Sequence, residues 1–247
     1  RLKRHVLPQL PEKTYATRWV EMAPKQRRAY DQIRKEMMAQ LDGGALLATN
    51  PLSKLTRLVQ FASAYGELVP SQQPGDHEVL DLRLVEPSCK VDALEEIAME
   101  LGDQQAVVFA ESRQLVELAA ARLVRAGYRI GQVTGAVSTH DRQANVAAFQ
   151  RGDLKMLLLT LGAGGEGLTL TAASVAVFLQ RSFDSVKHAQ AEDRIHRMGQ
   201  DADRVTIVDV VATDTVESRV REDLAEKAAR MEEIVRDKET VRAWLAR

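Results

Sequence analysis

Two arginines, Arg194 and Arg197, stand three residues apart in the stretch QAEDRIHRMGQ that runs from Gln190 to Gln200. Side chains three and four apart share a face of an α-helix, so a helix over 185–198 puts Gln190, Arg194 and Arg197 together. Two guanidinium groups aimed at one point make a receptor for an anion, above all one that takes paired N–H bonds. The same spacing also describes a solvated charged helix in which Glu192 and Asp193 neutralise the neighbouring arginines. Spacing alone leaves both readings open.

Two further stretches offer donors to an anion. In 134-TGAVSTHDR-142, Thr134, Gly135, Ser138 and Thr139 bring hydroxyls and backbone N–H groups to a helix start, with Arg142 on its first turn. A helix N-terminus attracts phosphate, and the same residues also make an ordinary cap. In 160-TLGAGGEGLTLTAA-173, Gly162, Gly164 and Gly167 match G-x-G-x-x-G. That dinucleotide fingerprint needs a helix to follow the glycines and cross back to the next strand. Only residues 168–174 intervene before the next apolar run, so the dinucleotide reading fails. What remains is a donor-rich loop suited to phosphates or to another domain.

The elements that must position these residues alternate. Short apolar runs at 105–110, 129–133, 155–160, 174–179 and 204–211 are separated by helical patterns at about 90–101 (capped by Ser88), 112–126, 139–149 and 185–198. Apolar strands alternating with helices predict a parallel sheet covered on both faces. Ligands of such sheets bind at the loops that follow the strands. Upstream, the basic stretch 1–22 ends in an extended pattern. Pro24 opens a helix to about residue 41, a second helix begins at Pro51, and 66–80, rich in Pro, Gly and polar residues, reads as a surface loop. From Thr215 to Arg247 the chain reads as a charged helical segment.

Bulk composition narrows the functions. A net charge of -1 gives no global basic field, so any polyanion site must be a local set of arginines. The single cysteine, Cys89, permits no internal disulfide and fits a reducing compartment, and no cysteine–histidine spacing suggests a metal site. No apolar run is long enough for a bilayer. Arginine-rich, alanine-rich composition suggests a bacterial or phage source, and the start at Arg1 suggests a piece of a longer chain.

The motifs in order resemble the Swi/Snf-type helicase-like ATPases of superfamily two. QAEDRIHRMGQ is similar to that family's motif VI, Q-A-x-x-R-x-H-R-x-G-Q, and AGGEGLTL to its motif V. VTGAVSTHDR resembles its D-G-S-x-S-x-x-x-R segment, VVFAES its motif IV strand, and DVVATDTVESRV the sequence that usually follows motif VI. LPQLPEK, PLSKLTRL and PSCKVDAL keep the family's order upstream. The chain departs from the pattern at Thr169, where the family usually has asparagine. It departs again at Gln180 and Ser182-Phe183-Asp184, where an aspartate and Trp-Asn-Pro are usual.

The resemblance implies two RecA-like lobes with ATP and Mg2+ in the cleft and double-stranded DNA across both. The chain has neither G-x-x-x-x-G-K-[ST] nor Asp-Glu-x-His, which belong to the first lobe. It therefore reads as an α/β RecA-like second lobe over 88–213, preceded by a lobe-linking helical region at 1–87 and followed by a helical extension at 214–247. By resemblance, Arg194 and Arg197 are arginine fingers and Gln190 joins ATP to DNA contacts, a catalytic set of three. Gly164, Gly165, Glu166 and Gly167 line the interlobe face on the nucleotide side. Thr160, Gly135, Ser138 and Arg142 contact the DNA backbone. The implied partners are duplex DNA and the N-terminal lobe, with no membrane; the fragment alone is expected to be an inactive ATPase. The implied location is the cytoplasm of a bacterium or phage host, or the nucleus in a eukaryote. The rival readings are a non-catalytic DNA- or protein-binding module and an RNA helicase lobe.

Overall fold

The sheet forms from the apolar runs. The structure is a computed structural model and describes residues 10–42, 51–70, 80–163, 167–181, 185–219 and 221. Strands β1 (Glu12–Val20), β4 (Ala106–Ala110), β5 (Ile130–Val133), β6 (Met156–Thr160), β7 (Val175–Phe178) and β8 (Arg204–Ala212) make one six-stranded sheet in the order β1-β8-β7-β4-β6-β5. Every neighbouring pair is parallel. The central strands β4, β6 and β7 are buried on both faces, which is why β4, AVVFA, has no polar residue and no exposed one.

Successive strand residues point to opposite faces, and the two cores follow that period. Ala106, Val108, Ala110, Met156, Leu158, Val175 and Val177 face α3 (Cys89–Glu100) and α4 (Arg113–Arg125), with Tyr30 of α1 (Pro24–Asp42) and Phe61 of α2 (Pro51–Ser63) in the same cluster. Val107, Phe109, Leu157, Leu159, Ala176 and Phe178 face the other way, toward Phe149 of α5 (Thr139–Gln150) and Ala191 of α6 (Ser185–Glu192). The Phe109 and Phe178 rings stack at 5.0 Å in that second core.

Upstream, one feature extends the sequence reading and one differs from it. The extended pattern at the start is β1, an edge strand running beside β8 from Glu12 opposite Arg204 to Val20 opposite Ala212. Residues ahead of 88 therefore build part of the sheet. The stretch read as a loop at 66–80 holds β2 (Tyr65–Pro70), paired antiparallel with β3 (Leu80–Val85). The alternation Leu80, Leu82, Leu84 is a strand signal that the surrounding Pro and Gly residues masked. Leu82 and Leu84 are buried, and Gln114 of α4 fixes β3 by accepting from the Leu84 N–H (2.7 Å) and donating to the Leu82 carbonyl (2.9 Å). Beyond the helical turn at 216–219 and residue 221, the charged C-terminal segment lies outside the described residues. Among the described residues no helix is long and apolar enough to cross a membrane.

Ser88 caps α3 as its type and position predict. Its buried Oγ accepts from the Val91 N–H at 3.2 Å and donates to the Ser63 carbonyl at 2.7 Å, so one hydroxyl ties α3 to the end of α2. Ser88→Ala removes both bonds in a dry site and is expected to cost about 2 kcal/mol. Urea unfolding of this chain reads it, and a loss below about 0.5 kcal/mol contradicts the assignment.

Candidate functional site

Helix α6 is shorter than the spacing suggested. It ends at Glu192, and 193–199 continue as a string of tight turns. The N–H groups of Arg194 and Ile195 reach back only three residues, to Ala191 and Glu192 (both 3.2 Å), and that of Arg197 only two, to Ile195 (3.0 Å). Tertiary contacts override the helical pattern here. The Arg194 carbonyl accepts from the Leu170 N–H at 3.0 Å, and the Ile195 side chain is drawn wholly into the core. Arg194 and Arg197 thus stand on a pinned turn, not on a helix face, while Gln190 is exposed on the last turn of α6.

The Gly-Gln that closes the motif has a mechanical use. Gly199 sits at φ 91°, where a side chain is strained, and lets the chain reverse. Gln200 then staples the turn: its Nε2 donates to the carbonyls of Ala173 (2.7 Å) and Ile195 (3.3 Å), and its Oε1 accepts from the Ala202 N–H (3.2 Å).

The arginine turn is fastened along one side to the second half of the glycine loop. Besides the Leu170 and Ala173 bonds, Arg197 Nη1 donates to Thr169 Oγ1 at 3.3 Å. The threonine that replaces the family's usual asparagine therefore keeps a polar role, toward an arginine. Gly167 turns the loop at φ 61°; Gly164, Gly165 and Glu166 lie outside the described residues. Arg197 is exposed, and among the described residues it has no carboxylate within ion-pair distance.

Glu192 does not neutralise the arginines beside it. It is buried, and its Oε2 accepts from Lys13 Nζ and from the Tyr15 hydroxyl, both at 3.0 Å, while Oε1 accepts from Arg181 Nη1 at 3.0 Å. Burial pushes its pKa up, but the Lys13 hydrogen bond and charge and the Arg181 charge outweigh that and hold it below the ordinary glutamate range. Tyr15 is pushed up to about 12, first by desolvation of its hydroxyl end against Glu192, though most of the residue is exposed, and then by the Glu192 charge. Arg181 lies over the Phe178 ring at 4.1 Å and binds Asp209 Oδ1 through Nε at 2.6 Å, and Arg221 binds the other oxygen at 2.5 Å. Sequence reasoning missed Lys13, Tyr15, Arg181 and Asp209, because none is near Glu192 in sequence. The signal available was a charge-capable residue, Arg181, directly after a buried strand.

The remaining candidates sit at the ends of β5 and β6. Ser138 caps α5, accepting from the Asp141 N–H (3.1 Å) and donating to Asp141 Oδ2 (2.7 Å). Arg142 folds back on its own loop, donating to the carbonyls of Val137 (2.8 Å) and Gly135 (3.4 Å). Thr160 is the last residue of β6 and half-buried. The cap reading thus accounts for the inner face of this loop, and Gly135, Ser138 and Thr139 are exposed on its outer face. Gln180, in the place of the family's aspartate, is buried at the end of β7; it accepts from the Ser112 N–H (2.9 Å) and donates to Ser63 Oγ (2.8 Å). Cys89 is buried and its thiol is pushed up to about 11 by burial, which leaves it inert.

Known proteins resemble this chain in sequence and in fold. The helicase conserved C-terminal domain matches residues 89–199. A chromatin-remodeling ATPase, INO80 of Emericella nidulans, is 32% identical over 157 residues, covering 62% of this chain and 9% of that protein. The human DNA excision repair protein ERCC-6-like is 30% identical over 239 residues, covering 87% of this chain and 19% of that protein. The chain thus spans under a fifth of the length of either relative. Among solved structures, the C-terminal part of the Fun30 ATPase domain superposes with a TM-score of 0.70 at 18% identity, covering 87% of this chain and 89% of that one. The Sulfolobus solfataricus SWI2/SNF2 ATPase core in complex with dsDNA gives 0.69 at 20% identity, covering 97% and 50%. Sheet, motifs and matches together define a RecA-like C-terminal helicase lobe. The chain belongs to the Swi/Snf-type helicase-like ATPases of superfamily two.

Proposed function

We propose that this lobe works in an ATP-dependent translocase on double-stranded DNA, supplying Arg194 and Arg197 as arginine fingers to ATP held, with Mg2+, mainly by a first RecA-like lobe. The observation that carries the reading is Arg197: an exposed guanidinium, on a turn pinned by four hydrogen bonds to main chain and Thr169, and with no carboxylate competitor among the described residues. Such a group fits a phosphate oxygen and needs little reorganisation to meet one. The arginines stabilise the charge that develops on the transferring phosphoryl group, and Gln190, on the preceding helix turn, links that contact to the DNA track. Gly164, Gly165, Glu166 and Gly167 line the face toward the first lobe. Thr160, Gly135, Ser138 and Arg142 serve the DNA backbone, with Arg142 stiffening the loop that presents the others; such contacts carry no sequence information.

Closing of the two lobes brings the fingers onto the nucleotide, and reopening advances the duplex. The protein acts wherever the duplex is, in a bacterial cytoplasm or a nucleus. A full-length enzyme carrying this lobe is expected to hydrolyse ATP faster by an order of magnitude or more with duplex DNA than with RNA, while this chain alone turns over none. Stimulation by RNA equal to that by duplex DNA makes it an RNA helicase lobe, and no turnover with either makes it a binding module.

A further inference from the structure

We infer that Glu192 is a positioning residue that sets where the arginine turn begins, and that strand β1 holds it there through Lys13 and Tyr15. The inference rests on the arginine-finger reading and goes beyond it, to what keeps the fingers in place. Glu192 is the point where helix gives way to turn. Its carbonyl accepts from the N–H groups of Ile195 (3.2 Å) and His196 (3.0 Å), closing two turns that contain Arg194. Its carboxylate, with the side chain only 8% exposed, takes donors from two separate parts of the chain, β1 and Arg181 after β7, at 3.0 Å each.

The second hold lies four residues on. His196 Nε2 is 2.8 Å from the Pro11 carbonyl, which can only accept, so that nitrogen carries the proton. Residues 11–15 therefore grip the turn at two points, at its start through Glu192 and at its middle through His196. The stretch that leads into the sheet from the lobe-linking region is thereby in direct contact with the segment that carries Arg194 and Arg197. A shift of that stretch is passed to the arginines through three short polar contacts, two at Glu192 and one at His196.

The substitution Glu192→Gln keeps the shape but replaces one acceptor oxygen with an NH2 that faces a cationic donor. In the full-length enzyme it is expected to lower kcat for ATP by about ten- to a hundredfold, the cost of an ångström-scale misplacement, with KM for ATP unchanged. Tyr15→Phe, which removes a single hydrogen bond from a residue largely exposed to solvent, is expected to lower kcat several-fold in the same way and covers the case in which Glu192→Gln impairs folding. In this chain, amide hydrogen exchange is expected to quicken over 193–200 in both variants and to stay unchanged in β4 and β6. Arg197→Ala serves as the reference. Retained activity in Arg197→Ala overturns the arginine-finger reading itself. Loss in Arg197→Ala beside wild-type kcat in both Glu192→Gln and Tyr15→Phe overturns only the positioning role. Faster exchange throughout the sheet, with kcat falling in step, also overturns it, since the carboxylate is then a general support of the fold.

Discussion

Arg197→Ala in the full-length enzyme is expected to lower ATP turnover by about a thousandfold or more, the range in which arginine fingers act. The loss should fall on kcat, because the guanidinium meets charge that grows only as the phosphoryl group transfers. The fold should be untouched. The Arg197 side chain is exposed and, among the described residues, makes one hydrogen bond, at 3.3 Å to Thr169, and such surface changes rarely move stability by more than about 0.5 kcal/mol. Lysine should rescue poorly, since it offers a point charge in place of a planar fork. Steady-state ATPase with saturating duplex DNA, set beside a melting curve, separates chemistry from folding. Turnover within a few-fold of wild type sinks the assignment.

The largest effect on stability is expected at Lys90. A lysine in the first turn of a helix is poorly placed for the helix dipole, and this one is 1% exposed. It stays because its ammonium reaches the Leu179 carbonyl at the end of β7 (2.5 Å) and the Glu217 carboxylate (2.7 Å). Lys90→Ala strands that carboxylate, whose side chain is 12% exposed, and leaves a small void beside the Leu179 carbonyl. Breaking one side of a buried pair costs about 3–5 kcal/mol, so urea unfolding of this chain should shift by that amount. Lys90→Met combined with Glu217→Leu should recover most of the loss, because removing both charges also removes their desolvation cost. A single-variant loss under about 1 kcal/mol refutes the account.

The parallel sheet was legible because its central strands bury both faces and so contain apolar runs such as AVVFA and MLLL. The capped helices α3 and α5 were legible from Ser88 and Ser138, since a hydroxyl at that position has one obvious local partner. Strand β3 was hidden by punctuation residues on one side of it. The end of α6 was hidden for a different reason. Spacing describes a helix that continues, and only a distant main-chain bond from Leu170 to Arg194 shows that it stops. Glu192 is the same lesson in electrostatics. Nearby arginines were its plausible partners, yet its real ones include Lys13, 179 residues away. Local pattern reports which residues are able to do chemistry; the fold decides which of them are already engaged.

Strand β1 also sets the order in which the lobe can mature. Its partner is β8, with Glu12 and Arg204 separated by 192 residues, so the first strand of the sheet finds its neighbour only after the last has left the ribosome. Long-range parallel pairing is slow to form, since the chain between must be closed into a loop before any contact rewards it. The central strands can assemble while β1 waits for its partner. The arginine turn leans on that same strand, so its geometry is complete only once the first and last strands of the sheet in chain order have paired.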